Sequence, residues 1–226
     1  MYNSSLRSVF GVGYFEFMLS GAIASELGGM VARGLAPMTA TGFLKDLTQE
    51  VIQDVENHVL GVDRLRVLVG DGGGTGVVPV AFVASEVKPV RDGIRDATLY
   101  HLGGIIVGRS YQGKGLGRIL VRDELTQTEA DLLGFHTQSL HMLVLGHELS
   151  EYDFSLSSGL AEEMGTHNPQ IQMLGHRPSV VEKGRYGDHS LYGDLGKFEK
   201  GGRVIRDLDY RHGDAVVYVG KVKQLI

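Results

Sequence analysis

The sequence predicts an α+β fold with α/β/α layering, in which helices flank a mixed, mostly antiparallel central sheet. Two observations predict it. Three strand-like runs, Leu65 to Val69, Val77 to Val87 and Thr98 to Val107, follow one another across short turns, as in an antiparallel meander. The third run then breaks into a loop holding Gly113, Gly115 and Gly117, resumes as a helix-like segment from Leu116 to Leu133, and is followed by a new apolar run. A strand–helix–strand order of this kind implies a crossover that sets two strands parallel.

The elements before the meander are a helix and a less regular start. Val9 to Leu19 reads as a strand and Ala22 to Arg33 as a short helix, with Pro37 closing this part. Over 39–60 the residues Phe43, Leu47, Val51, Val55 and Val59 recur every four positions beside Leu44 and Ile52, which predicts an amphipathic helix. Thr39 or Thr41 is placed to cap it, and Gly61 ends it. The stretch Asp71 to Gly76 reads as a flexible hairpin tip, because a strand and not a helix follows it.

After the glycine loop, Leu116, Ile119, Leu120, Leu125, Leu132 and Leu133 carry helical periodicity, and Leu140 to Leu145 reads as a strand buried on both faces. Residues 155–165 read as a short helix ended by Gly165. The tail holds Val180-Val181, two Tyr-Gly-Asp triplets and the strand-like run Ala215 to Val222. No linker-like segment divides the 226 residues, so a single domain is expected over 1–226. Residues 176–226 are then a C-terminal extension that completes the sheet or forms an interface, a homodimer being one use for it.

Composition narrows the function. Hydrophobic content of 42% with 22% charged residues is ordinary for a soluble globular chain, and a net charge of −5 argues against a nucleic-acid partner. The absence of cysteine excludes disulfides, thiolate nucleophiles and cysteine–zinc sites. The apolar patch Val9 to Ala24 is interrupted by Glu16 and by glycines, which fits neither a signal peptide nor a bilayer span. A cytoplasmic protein without a membrane partner is expected. His141 and His147 lie near Glu148 but match no metal-ligand pattern, so no metal is expected.

The glycine loop carries the chemistry. A strand that feeds such a loop at a helix N-terminus leaves backbone N–H groups unpaired where the helix carries partial positive charge, which suits a phosphate. Gly108 to Lys114 satisfies G-x-x-x-x-G-K, but Gly115 stands where a nucleotide P-loop needs Ser or Thr for magnesium. The spacing of Gly113, Gly115 and Gly117 also misses the dinucleotide pattern G-x-G-x-x-G. A strand–turn–helix joint with no ligand is the remaining alternative to a phosphate site.

Gln112-Gly113-Lys114-Gly115-Leu116-Gly117 resembles the Q/R-x-x-G-x-G/A motif of the GNAT acyltransferase superfamily. The aliphatic run Ile105-Ile106-Val107 before it, Tyr111 beside it and the amphipathic helix after it strengthen the resemblance. The resemblance is strong over 97–133, fair from 43 to 165 and poor elsewhere. It implies two parallel strands that splay apart, and acetyl-CoA as acyl donor. The pyrophosphate would be wrapped by backbone N–H groups of Gly113, Lys114, Gly115, Leu116, Gly117 and Arg118, with Gln112 in the motif. The pantetheine arm would lie on strand backbone at Ile106, Val107 and Gly108, and Lys114 or Arg118 would add charge.

The implied reaction is direct attack of a primary amine on the thioester, the amine belonging to a small molecule or a peptide. It needs a base, an oxyanion donor and an acid for the leaving thiolate. A strand N–H near Val107 would be the oxyanion donor. Glu86 and His101 are both candidates for the base. Tyr152 is the candidate acid, since the family commonly uses a Tyr on the short helix after its fifth strand. The Asn usual after that strand has no counterpart at Gly146-His147. The alternative function is a coenzyme A-binding or interaction protein that retains the fold without catalysis.

Overall fold

The computed structural model describes residues 6–9, 12–20, 25–71, 77–93 and 95–223. The expected strand over Val9 to Leu19 and helix from Ala22 each lie partly outside these residues, and the glycine tip at 72–76 lies wholly outside them. In chain order the strands are β1 (Leu6–Val9), β2 (Val12–Ser20), β3 (Arg64–Asp71), β4 (Val77–Asp92), β5 (Arg95–Val107) and β6 (Leu132–Thr137). β7 (Ser150–Tyr152), β8 (Pro169–Leu174), β9 (Arg177–Glu182) and β10 (Ala215–Val222) complete them. The helices are α1 (Ser25–Gly42), α2 (Gln49–Leu60), α3 (Leu116–Gln127), α4 (Leu140–Leu149), α5 (Phe154–Gly159) and α6 (Leu195–Lys200). The result is a mixed, mostly antiparallel sheet architecture with flanking helices. Among the described pairings, β5 with β6 is the parallel one.

The chain divides into two units, one of residues 1–86 and 103–121, the other of 87–102 and 122–226. In the first unit β1, β2, β3 and β4 pair in sequence, the register running Arg64↔Ser85 to Asp71↔Val77 across β3 and β4. Helices α1 and α2 bury Ala32, Leu35, Ala36, Val55 and Val59 against Leu65, Val67 and Phe82 of these strands and Ile106 of β5. Each Val, Leu, Ile or Phe side chain among them contributes about 1.5–3 kcal/mol on removal from water.

The start of this unit departs from the sequence reading in two places. Pro37 does not close the first helix; α1 continues through it to Gly42. Burial of Leu35, Ala36, Thr39 and Ala40 on both sides of the proline holds the helix where propensity alone would end it. The second helix begins at Gln49, not at 39, and Thr48 caps it by accepting a hydrogen bond from Val51 N–H at 3.3 Å. Thr39 and Thr41 instead sit in α1 and donate their hydroxyls back to Leu35 and Pro37 carbonyls. The four-residue stripe is real only from Val51 onward; Leu47 is 53% exposed and Leu44 has φ +56°.

In the second unit β10 is the central strand, paired antiparallel with β6 on one side and with β9 and β7 on the other. Its alternation serves two cores. Val217 and Val219 pack with Leu99, Leu132, Leu156, Leu160, Met164 and Val180. Val216, on the opposite face, packs with Val181, Ile205 and Leu208, and Tyr218 stacks on Phe135 with ring centroids 4.6 Å apart. Residues 176–226 thus supply two strands of this unit.

The helix after the glycine loop ends at Gln127, not at Leu133, and the parallel strand is Leu132–Thr137. Leu140 to Leu145, expected as a strand, lies in a helix that runs Leu140–Leu149. Its apolar run is not buried on both faces: Val144 is 49% exposed, whereas Leu143, Gly146 and Leu149 face the core at helical spacing. Gly146 lets α4 lie flat on the aromatic stack. A Cβ there would come within 2.8 Å of both Phe135 Cζ and Tyr218 Cζ. Gly146→Ala is therefore expected to destabilise the protein by about 1–2 kcal/mol in urea unfolding, overpacking outweighing a helix-propensity gain of up to ~1 kcal/mol. A neutral or stabilising effect would show that α4 can shift off the rings.

Candidate functional site

The first unit holds the glycine loop, built on the C-terminal end of β5. β5 pairs with β6 over Leu99–Leu102 only, and Gly103 to Val107 belong to the first unit. Alternate side chains of this end point to different helices. Ile106 is buried against α1 and α2, with Gly42 pressed on it, while Ile105 and Val107 lie under Gly117 of α3. Gly108 N–H donates to Val80 C=O at 2.8 Å, fixing the strand end to β4.

From there the chain turns through a 3-10 turn, Arg109–Tyr111, into α3. Gly113 and Gly115 both have φ +74°, a left-handed conformation that a side chain would strain. Gly117 has ordinary φ but no room: a Cβ would meet Ile105 Cδ1 at 3.2 Å. Gln112 donates its side-chain amide to Val107 C=O at 3.0 Å, so it ties the loop back to the strand. The hydrogen-bond ladder of α3 opens with Ile119 N–H to Gly115 C=O at 3.1 Å. The N–H groups of residues 113–118 thus precede the ladder, at the positive end of the helix dipole. Lys114 stands over the Tyr111 ring at 5.3 Å, exposed, with exposed Arg118 on the first turn of α3. A glycine-lined run of backbone donors beside two cations is an arrangement that favours an anion.

The three side chains proposed for proton transfer are not all in one unit. Glu86 is half-buried on β4 in the first. His101 is buried on β5 in the second, edge-on to His136 with ring centroids 5.8 Å apart. Tyr152 ends β7 in the same unit, opposite Gly220, and packs on Tyr218 at 5.2 Å and His147 at 6.1 Å. Its Oη is shielded from solvent without a well-aligned hydrogen bond, and burial pushes the hydroxyl above its usual range. Because the parallel strand is β6, the helix that follows it is α4. That helix carries no tyrosine, and the residues next after the strand are Gln138 and Ser139. Gln138 is fully engaged: its amide donates to Asp214 C=O and accepts from Leu191 N–H, both at 2.8 Å.

One cluster has no counterpart in the sequence reading. His136 Nε2 lies 2.9 Å from Thr166 Oγ1 and 3.2 Å from Glu182 Oε2, and Arg185 Nη1 reaches the same carboxylate oxygen at 3.2 Å. Burial, with Arg185, His101 and His167 adding to it, pushes the His136 imidazole down to about 2. It is therefore neutral, with Nε2–H donating to the Glu182 carboxylate. These residues come from β6, the turn before β8, the end of β9 and the turn after it, and no local motif joins them. Among the described residues, no three acidic or histidine side chains gather as a metal site, and no helix is long and apolar enough to cross a membrane.

No protein-family model matches the chain, and no curated protein matches it. Several solved structures, acetyltransferases among them, align with the chain at low identity. Arabidopsis thaliana NAA60 in complex with a bisubstrate analogue is 12% identical over 92% of this chain and 99% of its own, with a TM-score of 0.46. A Bacillus subtilis acetyltransferase in complex with CoA is 15% identical over 91% and 98%, TM-score 0.39. The GNAT family N-acetyltransferase YhbS from Escherichia coli, also in complex with CoA, is 16% identical over 66% and 73%, TM-score 0.41.

The neutral His136 sets a pH dependence. The unfolded chain takes up this proton near 6.5, the folded chain only near 2, so the unfolded state binds more protons between the two. Stability is full above 6.5 and falls as pH drops. Between pH 7 and pH 5 this group is expected to remove about 2 kcal/mol. Urea unfolding of wild type and His136→Gln at both pH values checks it; an equal loss in the variant refutes the assignment.

Proposed function

We propose that the chain is a GNAT-type N-acyltransferase that moves an acyl group, acetyl in the simplest case, from acetyl-CoA to a primary amine by direct attack. One observation supports this most: the loop 112–118, in which two glycines with φ +74° and a third without room for a side chain leave backbone donors ahead of the α3 ladder. Gly113 to Arg118 would hold the pyrophosphate, and backbone at Ile106, Val107 and Gly108 the pantetheine arm. A strand N–H near Val107 would take the developing oxyanion. Glu86 or His101 would accept the amine proton. Tyr152, whose burial keeps its hydroxyl protonated at neutral pH, would return a proton to the thiolate. The acceptor is the amine of a small molecule or peptide.

A second reading, coenzyme A binding without transfer, is favoured by α4, which has no tyrosine where the resemblance implies one. Calorimetry with acetyl-CoA and with coenzyme A, followed by thiol release against a panel of amines, separates the two. Binding at micromolar concentration with thiol release supports transfer; binding without release for any amine supports the second reading; binding of neither cofactor removes both. Gly115→Glu is expected to weaken coenzyme A binding at least about a hundredfold, placing a carboxylate in the cradle and straining φ, with far-UV dichroism unchanged. Retained binding in the folded variant would mean that the loop is not the pyrophosphate site.

A further inference from the structure

The β8–β9 hairpin presents a strand edge and an apolar strip to solvent. β8 pairs with β9 through six register pairs without a bulge, and no described strand pairs with its other edge. Its residues, Pro-Gln-Ile-Gln-Met-Leu, include no charge. Exposed edges are ordinarily guarded by charged side chains, bulges or prolines, and here only the first position is guarded. Ile171 and Met173 share a face with Val180 and Pro178, their register partners. Val180 is buried in the core formed with Leu156 and Leu160, but Ile171 is 67% and Met173 55% exposed.

The edge is also held rigid. On the other face of β8, the Gln172 amide donates to Asp207 C=O at 2.7 Å and accepts from Lys183, while Gly175 N–H donates to the Asp207 carboxylate at 3.1 Å. Leu174 packs against the core around Val181 and Ile205. A pre-ordered strand loses little conformational freedom on pairing.

We propose that β8 is the seam of a twofold dimer of this chain, two copies joining edge to edge in antiparallel register. An axis at Gln172 makes the strand complementary to itself. Ile171 then faces Met173 of the second copy, twice, and no like charges meet along the strand. About the same axis exposed His176 of one copy stands opposite Asn168 of the other, and the segment leading into β8 carries exposed His167 as well as Glu162 and Glu163. A second copy supplies the apolar pair twice, at a spacing that the strand's own sequence fixes.

Sedimentation equilibrium of the full chain from micromolar to hundred-micromolar concentration tests this. The wild type is expected to be a dimer. Ile171→Lys and Met173→Lys, both at exposed positions, each enter the seam twice and are expected to raise the dimer dissociation constant about a hundredfold. Gln172→Cys gives a second readout in a chain without cysteine. It is expected to cross-link under mild oxidation much faster than Ser155→Cys, an exposed position on α5. A monomer at every concentration, a dimer unaffected by both lysine variants, or equal cross-linking at the two cysteines overturns the proposal.

Discussion

Two glycines with left-handed backbone set the course of the chain between β5 and α3. With φ +74° at Gly113 and Gly115, the main chain reverses within a few residues of Val107. Any residue with a Cβ would resist that path. The reversal brings Gly117 down onto Ile105 and Val107, and the missing side chain lets α3 settle against the strand it has just left. Gln112 closes the turn from inside by holding Val107 C=O. The crossover through α3 then delivers β6 parallel to β5, in register from Leu99↔Leu132 to Leu102↔Phe135. The loop therefore does two things with one set of residues: it makes the parallel pair possible, and it sets backbone N–H groups ahead of the α3 ladder.

This double duty explains what could be read from sequence. The loop was legible because its causes are local: glycine at fixed spacing encodes both the turn and the exposed donors. The three meander strands were legible for the same reason, their alternation and turns being contained in the segments themselves. The parallel strand was misplaced because Leu132 to Thr137 is short and follows a helix whose leucines continue the helical spacing into it. The continuous run Leu140 to Leu145 looks equally apolar as strand or helix. What decides it is the Phe135–Tyr218 stack, on which only a helix bearing Gly146 can lie. That stack joins β6 to β10, and nothing near position 140 announces it. Pro37 was misread for a related reason, its helix being held by burial on both sides rather than by propensity.

The last strand of the chain completes the second unit. β10 lies between β6 and β9 and gives one face to each of two cores. Its arrival places Glu182 near His136, and the carboxylate, the arginine and the neutral imidazole then satisfy one another in a dry setting. Such a network is costly to break at one member, because the others are left buried and unpaired. It lies beside His101, whose ring meets that of His136 edge-on at 5.8 Å.

A cradle of backbone donors and a set of proton-transfer side chains answer to different constraints. The cradle depends on conformation, so any sequence that keeps the glycines and the strand–helix joint keeps the anion site. Proton transfer depends on a few side chains at defined distances, and a change of one residue type removes it. In this chain the first requirement is met in full detail, down to the φ values of Gly113 and Gly115 and the fit of Gly117. The second is proposed for Glu86, His101 and Tyr152, of which Tyr152 lies on β7 and not on α4. Burial pushes its hydroxyl above the usual range, which keeps it protonated and makes it a weaker acid than an exposed tyrosine. Under the proposed reaction, loss of the Tyr152 hydroxyl is the change that would separate transfer from binding of the donor alone.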